Sequence, residues 1–274
     1  MASMILDVKI VLITGGTSGL GLQLVKIFLS DGWEVYATGR DPKGLTLPNS
    51  KLHFIALDFS DLGAISATLK EHPLGSIKFD LIINNAGVLS PPAFTATKDS
   101  FEYTFQVNFL SHLLLDELII KNAGDNADLM IVFVGSPVYK YVKPDFKMSA
   151  IGEYHPFKVY AGSKLYLLLT GEYLHNKYPE KRVKFIGYDP GIFSSGILRM
   201  QKKWFQGLYK IAAPFMRSPA YVANKLYGIL STPLRNDGVI YNRNAEKEPV
   251  PYSGSVKARE LFNFCEQMLR RYLT

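Results

Sequence analysis

Short apolar runs alternate along this chain with longer segments in which apolar residues recur every three to four positions. Six runs predict strands and a seventh is a candidate for a last strand; in order they read KIVLIT, WEVYAT, LHFIAL, FDLIIN, LMIVFV, VKFIGY and GVIY. Continuous apolar strands separated by helices are typical of a parallel sheet whose two faces are both covered. The pattern therefore predicts an α/β fold, in which residues 1–274 form a single doubly wound Rossmann-type domain with a parallel sheet flanked by helices on both faces.

Helical periodicity between these runs predicts helices over residues 20–29, 62–70, 100–122, 160–177 and 255–273. The segment KVYAGSK is predicted to lie in an amphipathic helix, where residues four apart share one face. Tyr160 and Lys164 have this spacing. Because a nearby ammonium favours phenolate and lowers the pKa of a tyrosine, Tyr160 is a candidate proton donor. The same spacing also arises by chance on ordinary helices.

The segment TGGTSGLG joins the first predicted strand to the first predicted helix. Its glycines Gly15, Gly19 and Gly21 suit a tight turn, close approach of the backbone to a pyrophosphate, and close packing of helix on strand. The free N–H groups at the start of the helix then offer a site for phosphate. We therefore predict that this turn binds a dinucleotide cofactor, although the first two glycines stand further apart than in the common fingerprint.

The end of the second predicted strand, YATGRD, favours NADP over NAD. An acidic residue there would accept a hydrogen bond from the free 2′-hydroxyl of NAD, whereas an arginine would meet the 2′-phosphate of NADP. Gly39 stands where the acid is needed, and Arg40 follows it. Asp41 is a competing acid one residue later, and the alternative for Arg40 is an ordinary surface charge. The predicted cofactor is NADP(H).

Composition narrows the class of protein without deciding its chemistry. Lys and Arg number 31 against 24 Asp and Glu, so the net charge of +7 favours anionic ligands or membrane surfaces but is too diffuse to indicate nucleic acid. A single cysteine, Cys265, excludes an internal disulfide framework and suits a reducing compartment, so we expect a cytoplasmic protein. The histidines lack metal-ligand spacing, and no metal is predicted. No apolar stretch is long enough to predict a membrane-spanning segment.

Three ordered motifs resemble the short-chain dehydrogenase/reductase family, over nearly the whole chain. TGGTSGLG resembles its cofactor turn, NNAG (residues 84–87) its sheet-stabilising and cofactor-contacting motif, and YAGSK its Tyr-x-x-x-Lys active site. Asp58 resembles the family's residue near adenine, Asn108 its helix asparagine and Ser136 its serine after the fifth strand. The loop DPGIFSS resembles the one that borders nicotinamide, with Ser195 in place of the usual threonine.

The resemblance implies a role for each of these residues. Tyr160 would exchange a proton with the substrate oxygen, Lys164 would hold the nicotinamide ribose and lower the pKa of the tyrosine, and Ser136 would orient the carbonyl. Asn108 would help to hold a water that relays protons from Lys164. The alternatives for the last two are a serine that caps a turn and a buried amide that satisfies backbone groups. The predicted cofactor-binding residues, besides Tyr160 and Lys164, are Gly15, Thr17, Ser18, Gly19, Leu20, Gly21, Arg40, Asp58, Phe59, Asn85, Ala86, Gly87, Pro190, Gly191, Ile192 and Ser195.

Within the family, the chain resembles the retinol-dehydrogenase-like branch. Ser136 and Tyr160 are 24 residues apart, a longer interval than most of the family shows, and the insert YVKPDFKMSAIGEYH lies between them. Three features depart from the pattern of that branch: Pro137 directly after the serine, Asp189 before Pro190, and the missing N-terminal membrane anchor.

We therefore predict an NADPH-dependent oxidoreductase that reduces a carbonyl of an apolar aldehyde, ketone or secondary metabolite, or runs the reverse alcohol oxidation. The alternatives are reduction of a conjugated carbon–carbon double bond and a non-catalytic NADPH-binding regulatory or scaffold role. The basic, aromatic segment of residues 195–218 is predicted as a substrate lid, with a packing helix or dimer contact and a membrane-surface helix as its alternatives. Peripheral membrane contact and a homo-oligomer thus stay open.

Overall fold

Eight strands form one sheet in the computed structural model, which describes residues 9–71, 73–124, 128–145, 154–194, 216–232 and 238–273. The strands are β1 (Ile10–Ile13), β2 (Glu34–Gly39), β3 (Leu52–Ala56), β4 (Leu81–Asn84), β5 (Asp128–Val134), β6 (Arg182–Tyr188), β7 (Val239–Tyr241) and β8 (Lys247–Pro249). Their order is β3-β2-β1-β4-β5-β6-β7-β8, and all neighbours are parallel except β7 and β8. The seven predicted strands are confirmed.

Helices cover both faces of this sheet. The described helices are α1 (Gly19–Ser30), α2 (Leu62–Glu71), α3 (Tyr103–Phe105), α4 (Ser111–Asn122), α5 (Pro156–Lys177), α6 (Pro219–Leu230) and α7 (Val256–Leu273). Helices α1 and α6 build the core on one face, where Leu24 and Leu226 are completely buried. Helices α2, α4, α5 and α7 build the larger core on the other face. The predicted doubly wound α/β fold is therefore confirmed.

The central strands are buried on both faces, which explains their unbroken apolar sequences. Along β1, Val11 and Ile13 point into the core under α1 and α6, whereas Leu12 points into the opposite core. Each such side chain contributes about 1.5 to 3 kcal/mol when it leaves water. This packing holds the carboxyl ends of β1 and β4 side by side, at the point where the strand order reverses.

One predicted helix contains a π-helical turn. Helix α3 passes into a π-helical segment at Gln106–Leu110 and then into α4. Glu102 caps the start of this stretch, because its carboxylate accepts a hydrogen bond from Phe105 N at 2.6 Å. The π-helical segment holds Asn108 at 0% exposure, and π-turns are frequent at functional sites.

Helix α5 is not amphipathic where it carries Tyr160 and Lys164. All of residues 159–171 are buried, because the sheet and the neighbouring helices surround this part of α5. A Cβ atom at Gly171 would lie 2.0 Å from the Phe185 ring, so α5 and β6 approach closely there. The predicted one-sided helix is wrong in this stretch.

One described α-helix and one described strand were not predicted. Helix α6 begins after Ser218, whose Oγ accepts a hydrogen bond from Tyr221 N at 3.1 Å. Strand β8 is a short antiparallel edge strand with the sequence KEP, and a charged edge strand carries no apolar pattern. In the ranges given above, no helix combines the length and the apolar character needed to cross a bilayer.

Candidate active site

A cleft of about 500 Å³ opens at the carboxyl ends of the parallel strands, where ligands of doubly wound sheets bind. The predicted site residues that line it are Gly15, Thr17, Ser18, Gly19, Leu20, Arg40, Asp58, Phe59, Asn85, Ala86, Gly87, Ser136, Tyr160, Lys164, Pro190, Gly191 and Ile192. Gly21 and Asn108 are not in this lining but touch residues that are. Ser195 lies outside the described residues.

The glycine turn leaves the start of α1 open to an anion. Gly15 and Gly19 have φ values of +66° and +56°, in the region that favours glycine. A Cβ atom at Gly21 would lie 2.3 Å from the Gly15 carbonyl oxygen, so helix and turn pack with no room for a larger residue. Ser18 makes no side-chain cap, and the first turn of α1 contains no acid. The N–H groups there fit a pyrophosphate.

Arg40 places a cation at the cleft directly after β2, and the neighbouring acid, Asp41, is bonded to Lys43. Arg40 is exposed and lines the cleft. The carboxylate of Asp41 accepts a hydrogen bond from Lys43 N at 2.9 Å and lies 3.1 Å from Lys43 Nζ. Asp58, which follows β3, accepts hydrogen bonds from the backbone N–H and Oγ of Ser60 through one oxygen.

The two asparagines of NNAG brace the sheet at the floor of the cleft. Asn84 is completely buried, and its Nδ2 donates to Asp116 Oδ2 at 2.6 Å. Burial raises the pKa of Asp116 well above its usual range. Asn85 Nδ2 donates to the Thr14 carbonyl oxygen at 2.8 Å, which ties the end of β4 to the end of β1. The Asn84 amide therefore ties β4 to α4, and the Asn85 amide ties β4 to β1.

Tyr160 and Lys164 lie one turn apart on α5, and both line the cleft although they are 9% and 3% exposed. Lys164 Nζ donates to the Val134 carbonyl oxygen, at the end of β5, at 2.9 Å. Burial lowers the pKa of Lys164 to about 8. Within the described ranges no carboxylate pairs with this ammonium. Its charge is therefore directed at whatever occupies the cleft.

Ser136 joins β5 to a 3₁₀ turn at Pro137–Tyr141. Its backbone is extended, and its hydroxyl makes no capping hydrogen bond to that turn. The Ser136 side chain therefore does not cap the turn, and it lines the cleft. Pro137 starts the 3₁₀ turn, a position that suits proline because no N–H is needed there. The turn is fixed from behind, since Tyr139 OH donates to Glu248 Oε2 on β8 at 3.0 Å.

Asn108 is held firmly against both NNAG and α5. Its Oδ1 accepts from Val88 N at 2.8 Å, and its Nδ2 donates to Val88 O at 2.9 Å and to Ser163 Oγ at 3.0 Å. A Cβ atom at Gly87 would lie 3.3 Å from Asn108 Oδ1 and 3.4 Å from Lys164 Nζ, so these three residues are close neighbours. The side chain does satisfy backbone groups, as the alternative interpretation expected. Its part in a proton relay stays a prediction.

Two aromatic lining residues, Tyr103 and Phe193, were not among the predicted site residues. Tyr103 lines the cleft and is partly buried. Burial raises the pKa of Tyr103, while the charges of Arg40 and Asp58 act on it in opposite directions. It therefore belongs to the Arg40 end of the cleft. The only signal in the sequence was its position five residues before Asn108 on the same helical stretch.

The predicted lid falls mostly on residues 195–215, which lie outside the described residues together with Ser195. The two flanks of that segment meet beside the cleft. Ser194 N donates to the Arg217 carbonyl oxygen at 3.0 Å, and Phe193, which lines the cleft, pairs with Arg217 in a β-bridge.

The family model for short chain dehydrogenases matches residues 9–206, which carry every site residue described above. The chain belongs to this family. Similar proteins include mouse retinol dehydrogenase 12, which is 30% identical over 220 residues covering 77% of this chain and 69% of that one. Human polyprenol dehydrogenase is 29% identical over 210 residues, covering 70% of this chain and 62% of that one. The predicted family and its retinol-dehydrogenase-like branch are confirmed.

Another similar protein is oxidoreductase calI of Penicillium decumbens, 30% identical over 202 residues. That match covers 67% of this chain and 58% of the fungal protein, so the chain spans less than two thirds of that relative. Among solved structures, NADPH-bound carbonyl reductase from chicken fatty liver gives a TM-score of 0.64 at 20% identity, covering 88% of this chain and 99% of that one. The 3-ketoacyl-(acyl-carrier-protein) reductase of Brucella melitensis, complexed with NADH, gives 0.64 at 20% identity, covering 85% and 96%. These two likenesses show the shared fold.

Proposed function

We propose that this dehydrogenase uses NADPH to reduce a carbonyl group of an apolar aldehyde, ketone or secondary metabolite, or to run the reverse alcohol oxidation. One observation carries the proposal. Tyr160 and Lys164 from α5 and Ser136 after β5 line the same cleft as the glycine turn and Arg40. A proton donor, a buried cation and a hydroxyl thus share one cleft with an anion site.

The described residues fit a nicotinamide dinucleotide. The backbone at Gly15 and Gly19 and the uncapped start of α1 would hold the pyrophosphate. Lys164 would hold the nicotinamide ribose, and residues 190–192 would border the nicotinamide. When bound, NADPH supplies the hydride for the reduction.

The state of the acids near Arg40 supports NADPH over NADH. A free acid at the end of β2 would repel the 2′-phosphate of NADPH, but Asp41 is held by the backbone N–H and ammonium of Lys43. The exposed guanidinium of Arg40 has the geometry to pair with a phosphate through two hydrogen bonds.

Tyr160 is the proposed proton donor to the substrate oxygen. As its proton leaves, negative charge develops on the phenolate. Lys164 stabilises this charge from one turn away on α5, and its effect is strong because the site excludes most water. With a pKa of about 8, Lys164 is still charged at neutral pH. The Ser136 hydroxyl, which is not used for capping, would donate a hydrogen bond to the same oxygen.

Apolar side chains at the Pro190 end of the cleft support an apolar substrate. Phe193 lines the cleft, and Ile192 is 72% exposed beside it. Two of the similar proteins are named for retinol and polyprenol, which are lipophilic alcohols. The same proton donor would serve reduction of an enone double bond, so product analysis must separate the two reactions.

The buried charge of Lys164 argues against a purely regulatory role. Burial of an ammonium without a carboxylate partner costs stability, and a protein that only sensed NADPH would gain little from a proton donor beside it. The site is better explained by catalysis.

The test is NADPH oxidation, followed at the nicotinamide absorbance, with a panel of apolar aldehydes, ketones and enones and with NADH as the control cofactor. We expect Tyr160→Phe to lower turnover by about 100-fold or more while NADPH still binds. Tyr166→Phe is the matched control, since Tyr166 is a buried tyrosine on the same helix whose hydroxyl bonds to Asp145 outside the cleft. Full turnover in Tyr160→Phe would contradict the proposal.

A further inference from the structure

A completely buried histidine lies between the two motifs that border the cleft. His112 on α4 is one turn beyond Asn108 and is 0% exposed. Its Nε2 lies 3.1 Å from Thr14 Oγ1, at the end of β1. Its ring packs against Phe59, which lines the cleft, with the ring centres 4.6 Å apart. No role was predicted for His112, and Thr14 is the first residue of TGGTSGLG, where no role was predicted for its side chain.

The hydroxyl of Thr14 is the junction of this arrangement. Its oxygen accepts hydrogen bonds from Asn85 N at 2.8 Å and from Ala86 N at 2.9 Å. Its one proton must therefore be donated elsewhere. The acceptors within reach are His112 Nε2 at 3.1 Å and the Ile83 carbonyl oxygen at 3.3 Å. His112 offers the shorter bond, provided that its Nε2 carries no proton.

The surroundings keep His112 in that neutral form. Burial lowers the pKa of His112 to about 3, with a further contribution from the positive charge of Lys164 and a smaller opposing effect of Asn108. At neutral pH the ring therefore carries one proton. With that proton on Nδ1, Nε2 is an acceptor for the Thr14 hydroxyl.

We propose that His112 is a positioning residue, which orients the Thr14 hydroxyl so that it holds the NNAG turn against the glycine turn. This role rests on the proposed cofactor site, because the two turns are the walls between which the dinucleotide would lie. His112 itself does not line the cleft. Its effect passes through Thr14 to the backbone of Asn85 and Ala86.

Amide hydrogen exchange tests this role without any cofactor. The variant His112→Leu removes the acceptor, whereas His112→Gln offers a side-chain oxygen to the same hydroxyl. Loss of one such hydrogen bond corresponds to a change of about tenfold in an equilibrium constant. We expect exchange at the Asn85 and Ala86 amides to accelerate about tenfold in His112→Leu and to return toward wild type in His112→Gln. The Gly135 amide, which donates to Tyr188 O at 2.8 Å, is the internal reference and should not change.

NADPH binding gives the second readout. We expect the Kd for NADPH to rise about tenfold in His112→Leu. When Thr14→Val is already present, adding His112→Leu should change the Kd very little, because both residues act through the one hydroxyl of Thr14. Unchanged exchange at both amides, the same acceleration in His112→Gln as in His112→Leu, or fully additive effects with Thr14→Val would each overturn the role. If wild type failed to bind NADPH, the proposed function would fall, while the exchange rates would still decide the position of Thr14. If His112→Leu does not fold, the unbranched His112→Met takes its place.

Discussion

Replacing Lys164 with methionine is expected to abolish turnover and at the same time to make the fold more stable. Burial lowers the pKa of Lys164 from its usual 10.5 to about 8. Each unit is worth about 1.4 kcal/mol, so the buried charge costs the folded state about 3 kcal/mol at neutral pH. The substitution also leaves the Val134 carbonyl oxygen without this donor, which costs about 1 to 2 kcal/mol. The net gain is therefore on the order of 2 kcal/mol.

The pH dependence gives this prediction a distinctive sign. Between pH 8 and 10.5 the unfolded wild type binds more protons at this lysine than the folded protein does, so the free energy of unfolding of wild type rises with pH. Lys164→Met lacks this contribution. Its advantage at pH 7 should shrink by about 3 kcal/mol toward pH 10.5 and reverse in sign.

Denaturant titrations of both proteins at pH 7 and pH 10 measure these differences. Lys177→Met is the matched control, because Lys177 pairs with the completely buried carboxylate of Glu117 at 2.9 Å. Removing Lys177 leaves the buried Glu117 carboxylate without this cationic partner, which should lower the free energy of unfolding by about 3 kcal/mol. The reasoning is refuted if Lys164→Met is less stable than wild type at pH 7, or if the difference between them does not change with pH.

Three further predictions concern the turn, the cofactor and acid stability. Gly21→Ala would place a methyl group 2.3 Å from the Gly15 carbonyl oxygen, so we expect the variant to lose NADPH binding and about 2 kcal/mol of unfolding free energy in a urea titration. Gly228→Ala is the control: a Cβ atom there has no neighbour within 4 Å, and the same titration should show a gain of about 0.5 to 1 kcal/mol. Arg40→Ser should raise the Kd for NADPH about tenfold in a fluorescence titration and leave that for NADH unchanged. The pKa of His112 is about 3 in the folded protein against an ordinary 6.5, so the unfolded state binds more protons between these two pH values. Urea titrations should therefore show the free energy of unfolding falling by up to about 1.4 kcal/mol per pH unit as the pH is lowered through this window. The same profile should be flatter in His112→Gln.

The sheet was predictable because its strands are buried on both sides. An unbroken apolar run such as that of β4 is readable without knowledge of its neighbours. Strand β8 was missed because it depends on pairing with β7 and not on burial. Helix α5 was predicted in the right place with the wrong surroundings. Periodicity reports which residues are apolar, whereas burial of Lys164 and Ser163 follows from the elements packed around α5.

The cleft was predictable where its residues belong to local motifs. The glycine turn, NNAG and the Tyr160 to Lys164 pair each fit within a few residues, and every described member lines the cleft or touches its lining. The contact between Thr14, the first residue of TGGTSGLG, and His112 was not predicted, because the two residues are 98 positions apart and meet only in three dimensions. A lone histidine in a sequence does not reveal that its neighbours keep it neutral.

Helix α7 has a consequence for how this protein is made. Leu261, Cys265 and Leu269 on α7 are completely buried, and the Tyr272 carbonyl oxygen accepts a hydrogen bond from Ser66 Oγ at 2.7 Å, across 206 positions. During synthesis the helices that precede α7 therefore expose an apolar groove to water until residue 273 has left the ribosome. Contacts of such long range slow folding and expose surfaces that aggregate. We therefore expect the nascent chain to depend on chaperones until α7 docks.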